Sequence, residues 1–371
     1  MSESATASAP AKTQPKAKKN RLSSGFFRFV LTRFLLIIPT VFILVTIVFF
    51  VMRATGDPIS AAMGGRLTPE ELQRRIHAAG YDRPLVVQYL DYLGGLLRGD
   101  LGTTLTDNQP VTTILTRYGA ATFELAFLSL IVALIVGIGL GRLAARRRDH
   151  AADAGIRVFA ILCYATPVFF LGLMLKLVFA VWLNVLPPSG RSSFASDMQF
   201  QRLVSPTGFY IIDAFQLGDM SVLVDVLRHA VLPALALGLL TAGVFIRLVR
   251  TNVISTYTSG YVEAARSRGV SEGRLLSKHA WRPAMIPIIT VMGMQIALML
   301  AGAVLTETTF EWKGLGFMLS QYLKQRDFVA VQGIVILIAI IVAVVNFIVD
   351  VISALIDPRA VSYTHLRAHE T

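Results

Sequence analysis

The sequence predicts an all-α integral membrane protein with six transmembrane helices and a small helical cap after the first. Three observations carry that prediction. The 371-residue chain is 54% hydrophobic and 16% charged, where soluble domains carry about 45–50% apolar and about 25% charged residues. Six apolar stretches approach the roughly 20 residues that a helix needs to cross a ~30 Å hydrocarbon core. The charges between those stretches are sorted by side. Soluble enzymes, disordered chains and fibrous proteins are excluded by the composition. The strict alternation of a membrane β-barrel is absent.

The first stretch, Phe34–Met52, has no charge. It exceeds a signal peptide's usual apolar core and no small-residue cleavage site follows, so it reads as an anchored span. Leu125–Gly141 is the second, extended by Tyr118–Glu124. Val158–Val181 is apolar except for Lys176. Ala230–Ile246, Ala284–Thr306 and Phe328–Val349 complete the set. Gly and Pro within them are tolerated in membrane bundles. The single cysteine, Cys163, lies in an apolar run and reads as a plain buried thiol.

These spans divide the chain. Residues 1–28 read as a disordered basic cytosolic tail, because Ala, Ser, Pro, Lys and Thr cannot bury a core. Residues 29–53 form the first transmembrane helix and 54–117 an extracytoplasmic cap. Residues 118–356 form a five-helix core, and 357–371 a cytosolic tail whose part from 360 reads as non-native. Within the cap, Thr68 is an N-cap, Pro69 the first helical residue and Glu71 the third. A second cap helix covers Val86–Leu97, its end weakened by Gly94 and Gly95. Leu186-Pro187-Pro188-Ser189-Gly190-Arg191 is a rigid turn. His229 beside Asp225 reads as structural, since no Cys/His/Asp/Glu set has metal-ligand spacing.

With the N-terminus placed inside, the inner segments carry 21 basic and 7 acidic residues, the outer ones 13 and 14. Positive residues favour cytoplasmic loops, so this orientation fits. The formal charge of +12 is thereby a matter of topology. Basic residues flank spans rather than lining one face with aromatics, which excludes a nucleic-acid surface.

Residues 251–283 carry the chemical signal. Tyr261–Arg268 predicts a short helix, Gly269 its C-terminal stop and Ser271 a cap for the next helix, which runs toward the span at Ala284. A charged hairpin of this kind is a partner surface or a solvated connector, and the small pair Ala264 and Ala265 lets another surface come close.

Glu263-Ala264-Ala265, three residues, then Gly269 resembles the EAA signature of ABC-importer permeases. The context is more specific: Tyr261-Val262-x-Ala264-Ala265-Arg266-x-x-Gly269, then His279-Ala280-x-Arg282-x-Ala284-x-x-Pro287, is similar to the dipeptide/oligopeptide-type permease family. So are Glu307 with Gly314-Leu315-Gly316, Arg326-Asp327, Val331-Gln332-Gly333 and Asp357-Pro358-Arg359. Upstream, Asp82-Arg83-Pro84, Gln88-Tyr89, Gly99-Asp100-Leu101-Gly102, Glu124-Leu125 and Ser189-Gly190-Arg191 also fit. The resemblance spans about Phe29 to Arg359 and points to the first of two permease subunits. Pro188 departs from the family's turn.

The resemblance implies the type I ABC importer permease fold in the bacterial cytoplasmic membrane, with both termini cytosolic. It implies a second homologous permease as heterodimer partner, two cytosolic ATPases and an extracytoplasmic substrate-binding protein. Glu263, Ala264, Ala265, Arg266 and Gly269 would form the ATPase-coupling loop. The cargo would be di- or oligopeptides, with nickel, glutathione or another small solute as the alternative. A membrane receptor or membrane-embedded enzyme is the reading from another class, and no motif supports it.

The chain contains no Gly-Lys dipeptide, so no phosphate-cradling loop of the ATPase type exists in it. The expectation is no catalytic residue, metal or cofactor of its own, with ATP and Mg used by the partner ATPases. Polar residues within spans are functional candidates by default. Lys176 reads either as snorkelling to water or as facing the translocation pathway or a partner helix. Gln295 and Glu307, which flank the fifth span, are the other pathway candidates. Glu124 reads as interfacial, and Asn346 and Asp350 as bonding between helices.

Overall fold

The computed structural model describes residues 21–65 and 67–356. The expected N-terminal tail through residue 20 and the C-terminal tail from 357 lie outside the described residues.

Fifteen helices follow one another among those residues, and one isolated bridge, Thr103 to Pro110, is the sole β pairing. The first crossing is α1 (Arg21–Ala54). The cap holds α2 (Pro58–Met63), α3 (Pro69–Ala78) and α4 (Leu85–Leu97). The core begins with α5 (Val111–Arg146), then α6 (Ala151–Ala165) and α7 (Val168–Leu175), the last continued by a wider π turn over Lys176–Trp182. Two short helices, α8 (Phe194–Phe200) and α9 (Tyr210–Leu217), lead into α10 (Met220–Tyr257). Beyond it come α11 (Gly260–Ser267) and α12 (Glu272–Arg274), the latter running through a π turn into α13 (Trp281–Phe310). The chain closes with α14 (Leu315–Gln325) and α15 (Phe328–Ile356).

Four helices are singly long and apolar enough to cross a membrane: Phe26–Ala54, Val111–Arg146, Met220–Tyr257 and Phe328–Leu355. Two further crossings are bent pairs. Ala151–Ala165 and Val168–Trp182 meet at 108°, and Glu272–Met285 and Pro287–Leu300 at 46°. Six crossings result when each pair counts once. The stretch Val158–Val181 is therefore not the single span that hydropathy predicts. Thr166 is extended (ψ 126°), as the ring of a following proline requires, and Pro167 has no N–H with which to continue α6.

The helices also overrun the apolar stretches. At 1.5 Å per residue, the 38 residues of α10 span about 57 Å, nearly twice the hydrocarbon core. Asp225 and His229 thus sit in the first turns of α10 rather than in a loop.

The centre of the bundle is α5 against α10. A Cβ on Gly137 would meet Phe245 Cβ at 2.5 Å, and one on Gly238 would meet Ser129 O at 2.7 Å. Small residues permit such backbone approach where lipid gives no hydrophobic drive for helices to associate. Leu125, Leu237, Ala303 and Trp312 are fully buried beside this seam. By contrast α1 packs chiefly on α15, through Phe34 against Phe347 (5.8 Å between ring centroids) and Arg33 with Asp350 (3.4 Å). The predicted inter-helix bond of Asp350 is this ion pair, while Asn346 is exposed.

The cap is fastened to the end of α1. Thr68 accepts a hydrogen bond from Glu71 N at the start of α3, as predicted. Arg53 Nε donates to Gln88 Oε1 (2.9 Å), and Gln88 Nε2 donates to the Tyr81 and Arg83 carbonyls. Burial beside this cluster pushes the Tyr81 phenol up from its ordinary value. Gly94 and Gly95 lie within the last turn of α4, which ends at Leu97 as expected.

Candidate functional site

At the end of the bundle where α10 finishes, the chain turns back on itself as a helical hairpin. Thr258 and Ser259 close α10, and α11 runs only to Ser267. Gly269 follows at φ +79°, the left-handed conformation that glycine adopts at a helix stop. Ser271 precedes the next helix in extended conformation without a side-chain cap bond. Val262 and Leu275, one on each arm, are fully buried.

The polar residues of the hairpin form one cluster. Arg266 Nη1 donates to Glu263 Oε2 (2.5 Å) and Arg266 Nε to Glu272 Oε1 (2.8 Å). The guanidinium lies 5.0 Å from the Tyr257 ring centroid, and the Tyr257 hydroxyl donates to Glu272. The Glu272 carboxylate, with Tyr257 second, raises the pKa of Arg266 above its ordinary value. A cavity of about 550 Å³ lies beneath, lined among others by Arg146, Arg148, Glu263 and Arg266. Arg266 is half-buried in this cluster, Glu263 and Ala264 are exposed and Ala265 is half-buried. All five predicted loop residues fall on this one hairpin.

The three predicted pathway residues do not come together. Lys176 Nζ donates to the Thr309 carbonyl (2.9 Å) and lies 5.6 Å from the Phe310 ring centroid. It ties the π turn to the end of α13 instead of reaching for water. Glu307 is fully buried: Oε1 accepts from Thr122 Oγ1 (2.7 Å), and Oε2 from Phe317 N (2.9 Å). A Cβ on Gly314 would meet that carboxylate at 2.5 Å, which is why the turn before α14 carries glycine there. Gln295 alone lines a sizeable cavity, between α6, α10 and α13.

Buried polar ties whose pairing the sequence did not reveal hold the opposite end. Arg191 Nη2 donates to Glu124 Oε2 (2.5 Å) and to Gly208 O (2.9 Å). Glu124 Oε1 accepts from Ile211 N (2.8 Å). The Arg191 guanidinium sits 3.7 Å from the Tyr210 ring centroid and 5.4 Å from that of Trp312. Glu124 is thus an interior partner, not the interfacial residue expected. Trp312 Nε1 donates to Ala121 O (2.9 Å). Asp327 Oδ2 accepts from Leu105 N, Thr106 N and Thr106 Oγ1, fastening the loop before α5 to α15. Near the hairpin end, Arg250 makes a two-pronged pair with Asp153 (2.6 and 2.7 Å). All of these ties but that of Arg191 to Gly208, 17 positions apart, join residues about 70 to 220 positions apart, beyond the reach of any periodicity in one sequence.

Two family models match the chain. "Binding-protein-dependent transport system inner membrane component" covers residues 137–362, and the N-terminal membrane-component model of such systems covers 26–125. The chain belongs to this family. It is 37% identical to the di/tripeptide transport system permease protein DppB of Pseudomonas aeruginosa, over 89% of this chain and 98% of that one. It is 37% identical to the dipeptide permease DppB of Escherichia coli K12, over 90% and 98%. Against the probable D,D-dipeptide permease DdpB of E. coli K12, identity is 36% over 82% and 88%. A solved structure of the MetNI methionine ABC transporter, inward facing, aligns at a TM-score of 0.48 and 14% identity, over 66% of this chain and 97% of that one.

This permease is accordingly a multi-pass inner-membrane transport component and not an enzyme. Family membership implies the partners of an ABC transporter, a substrate-binding protein and an ATPase. The motifs that carry the family resemblance divide in two. Glu124, Arg191, Glu307 and Asp327 are buried structural ties, while Glu263 and Ala264 are displayed at the surface of the hairpin.

Proposed function

We propose that this permease imports di- or oligopeptides into the cytoplasm, coupled to a cytosolic ATPase through residues 260–282. The carrying observation is the hairpin: a short helix leaves Glu263 and Ala264 exposed, and Arg266 links Glu263 to Glu272, which Tyr257 also bonds. A displayed surface on a stiff support can transmit a push, whereas a floppy loop would absorb it. The peptide relatives, 37% identical over nearly their whole length, support the cargo. The hairpin shares a cavity with Arg146 and Arg148, and this basic end supports a cytosolic placement with both termini inside. A second, homologous permease completes the translocation unit, two ATPases bind ATP and Mg, and this chain holds no cofactor. ATP-driven closure shifts the spans between inward- and outward-open states only through differential affinity for the two.

The test uses the assembled transporter in proteoliposomes. Gly269→Pro and Glu263→Lys should insert and assemble, yet lose both uptake and substrate-stimulated ATP hydrolysis. Normal stimulated hydrolysis in both variants overturns the coupling role.

A further inference from the structure

Between α6, α10 and α13 lies a cavity of about 510 Å³, within the size range of small-molecule sites. Its polar lining is Arg157, Arg247, Arg250, Tyr164, Thr251 and Gln295, and it holds no lining carboxylate. Two backbone features bound the cavity on its far side. At Gly243, α10 comes so close to α6 that a Cβ would meet Ala160 O at 2.7 Å. Beyond it, the break at Thr166 and Pro167 turns the chain away by 108°.

Charge in the cavity is unequally answered. Asp153, fully buried, holds Arg250 in a two-pronged pair and stands 3.8 Å from Arg157. Among the described residues Arg247 has no ion-pair partner. Asp153 thus engages Arg250 and Arg157, while Arg247 shares the cavity wall with them. Arg247 is ten residues, about 15 Å of helix rise, from the end of α10. Arg247 lies one residue past the apolar stretch Ala230–Ile246 and is exposed on the cavity wall.

We propose that this cavity is a carboxylate-binding station for the peptide cargo, with Arg247 as the anchoring cation. This rests on the peptide-import reading above. The lining matches a short peptide group by group. Arg247 takes the terminal carboxylate in the forked geometry suited to it. Gln295 and Thr251 serve the peptide amide, and the face of Ile161, Tyr164 and Val244 takes side chains. A phospholipid phosphate would use the cation alone. It would leave the Gln295 amide, fourteen residues into α13 from Trp281, without a partner. Ile161 and Tyr164 are each 64% exposed, so the station is open on the α6 side.

The experiment compares wild type, Arg247→Gln and Arg247→Lys in the fully assembled transporter, in proteoliposomes with dialanine-loaded binding protein. A charge-assisted bond to a carboxylate predicts about tenfold or greater loss of dialanine uptake in Arg247→Gln. Arg247→Lys should keep uptake within about threefold, and binding-protein-stimulated ATP hydrolysis should persist in both. Unchanged uptake in Arg247→Gln overturns the proposal, as does a parallel fall of uptake and hydrolysis, which marks a structural residue. An anionic phospholipid that co-purifies with wild type and is lost from Arg247→Gln at unchanged uptake assigns the cavity to lipid and overturns it too. Absence of dialanine uptake by wild type with stimulated hydrolysis intact refutes the peptide reading itself, a separate result.

Discussion

Replacing Arg191 by methionine should destabilise the bundle by about 4 kcal/mol. Methionine keeps the length and the apolar stem but removes the charge. Both partners of the pair are buried, with side chains 7% and 4% exposed for Arg191 and Glu124. Breaking a buried pair by deleting one partner costs about 3–5 kcal/mol, because the other charge stays buried unanswered. The cation over Tyr210 adds about 1 kcal/mol. One offset exists: Arg191 Nε is buried without a partner, and its removal recovers part of a desolvation cost already present. Folded chains lose about 2 cal/mol/K of order per residue on folding. Over 371 residues, a loss of about 4 kcal/mol lowers the melting midpoint by at least ~5 °C, more where helices persist in the micelle. The assay is thermal unfolding of the purified chain in detergent, followed by tryptophan fluorescence. The companion Glu124→Gln/Arg191→Met should recover half or more of the loss, since a neutral amide still accepts from Ile211 N without stranding a charge. A single variant melting within about 1 °C of wild type would refute the reasoning. So would a double variant as unstable as the sum of the singles.

Two smaller perturbations probe the seam and the cap. Gly238→Ala drives a methyl against Ser129 O, a rigid backbone atom, and should cost about 1–3 kcal/mol. Gly139→Ala on the same pair of helices meets nothing within 4 Å and should leave stability unchanged or raise it by up to about 1 kcal/mol; equal melting shifts for the two would remove close approach as the reason for glycine. Asp327→Ala strips the acceptor shared by Leu105 N and Thr106 N and the N-cap bond to Ala330 N. A cost of about 2–4 kcal/mol follows, with faster amide hydrogen exchange at 104–109; unchanged exchange there would show that the loop is held by other contacts.

How much of this was legible beforehand varies by residue. The N-cap Thr68, the stop at Gly269 and the apolar stretches are local signals, each readable within a few positions. The family followed from the hairpin motif and its context. The 108° break at Thr166 and Pro167 was readable in principle, yet hydropathy averages over a proline and reported one span. Lys176 and Glu307 were drawn toward the pathway by a rule about charge in membranes. That rule marks them as significant without saying whether a carbonyl, a threonine or a cargo answers them.

The sequence by itself determined the membrane class, the positions of six apolar segments, the charge sorting and the family. Those follow from composition and short-range pattern, the terms in which water, lipid and the peptide backbone act on a chain. Only the tertiary structure decided which polar residues hold the bundle and which are left over. Glu124 and Arg191, 67 positions apart, and Asp327 with Leu105, 222 apart, become partners because helix packing places them together. In a medium of low dielectric a charge must find its opposite wherever the fold brings one near. Arg247, to which the fold brings no carboxylate among the described residues, is left on the wall of the cavity between α6, α10 and α13.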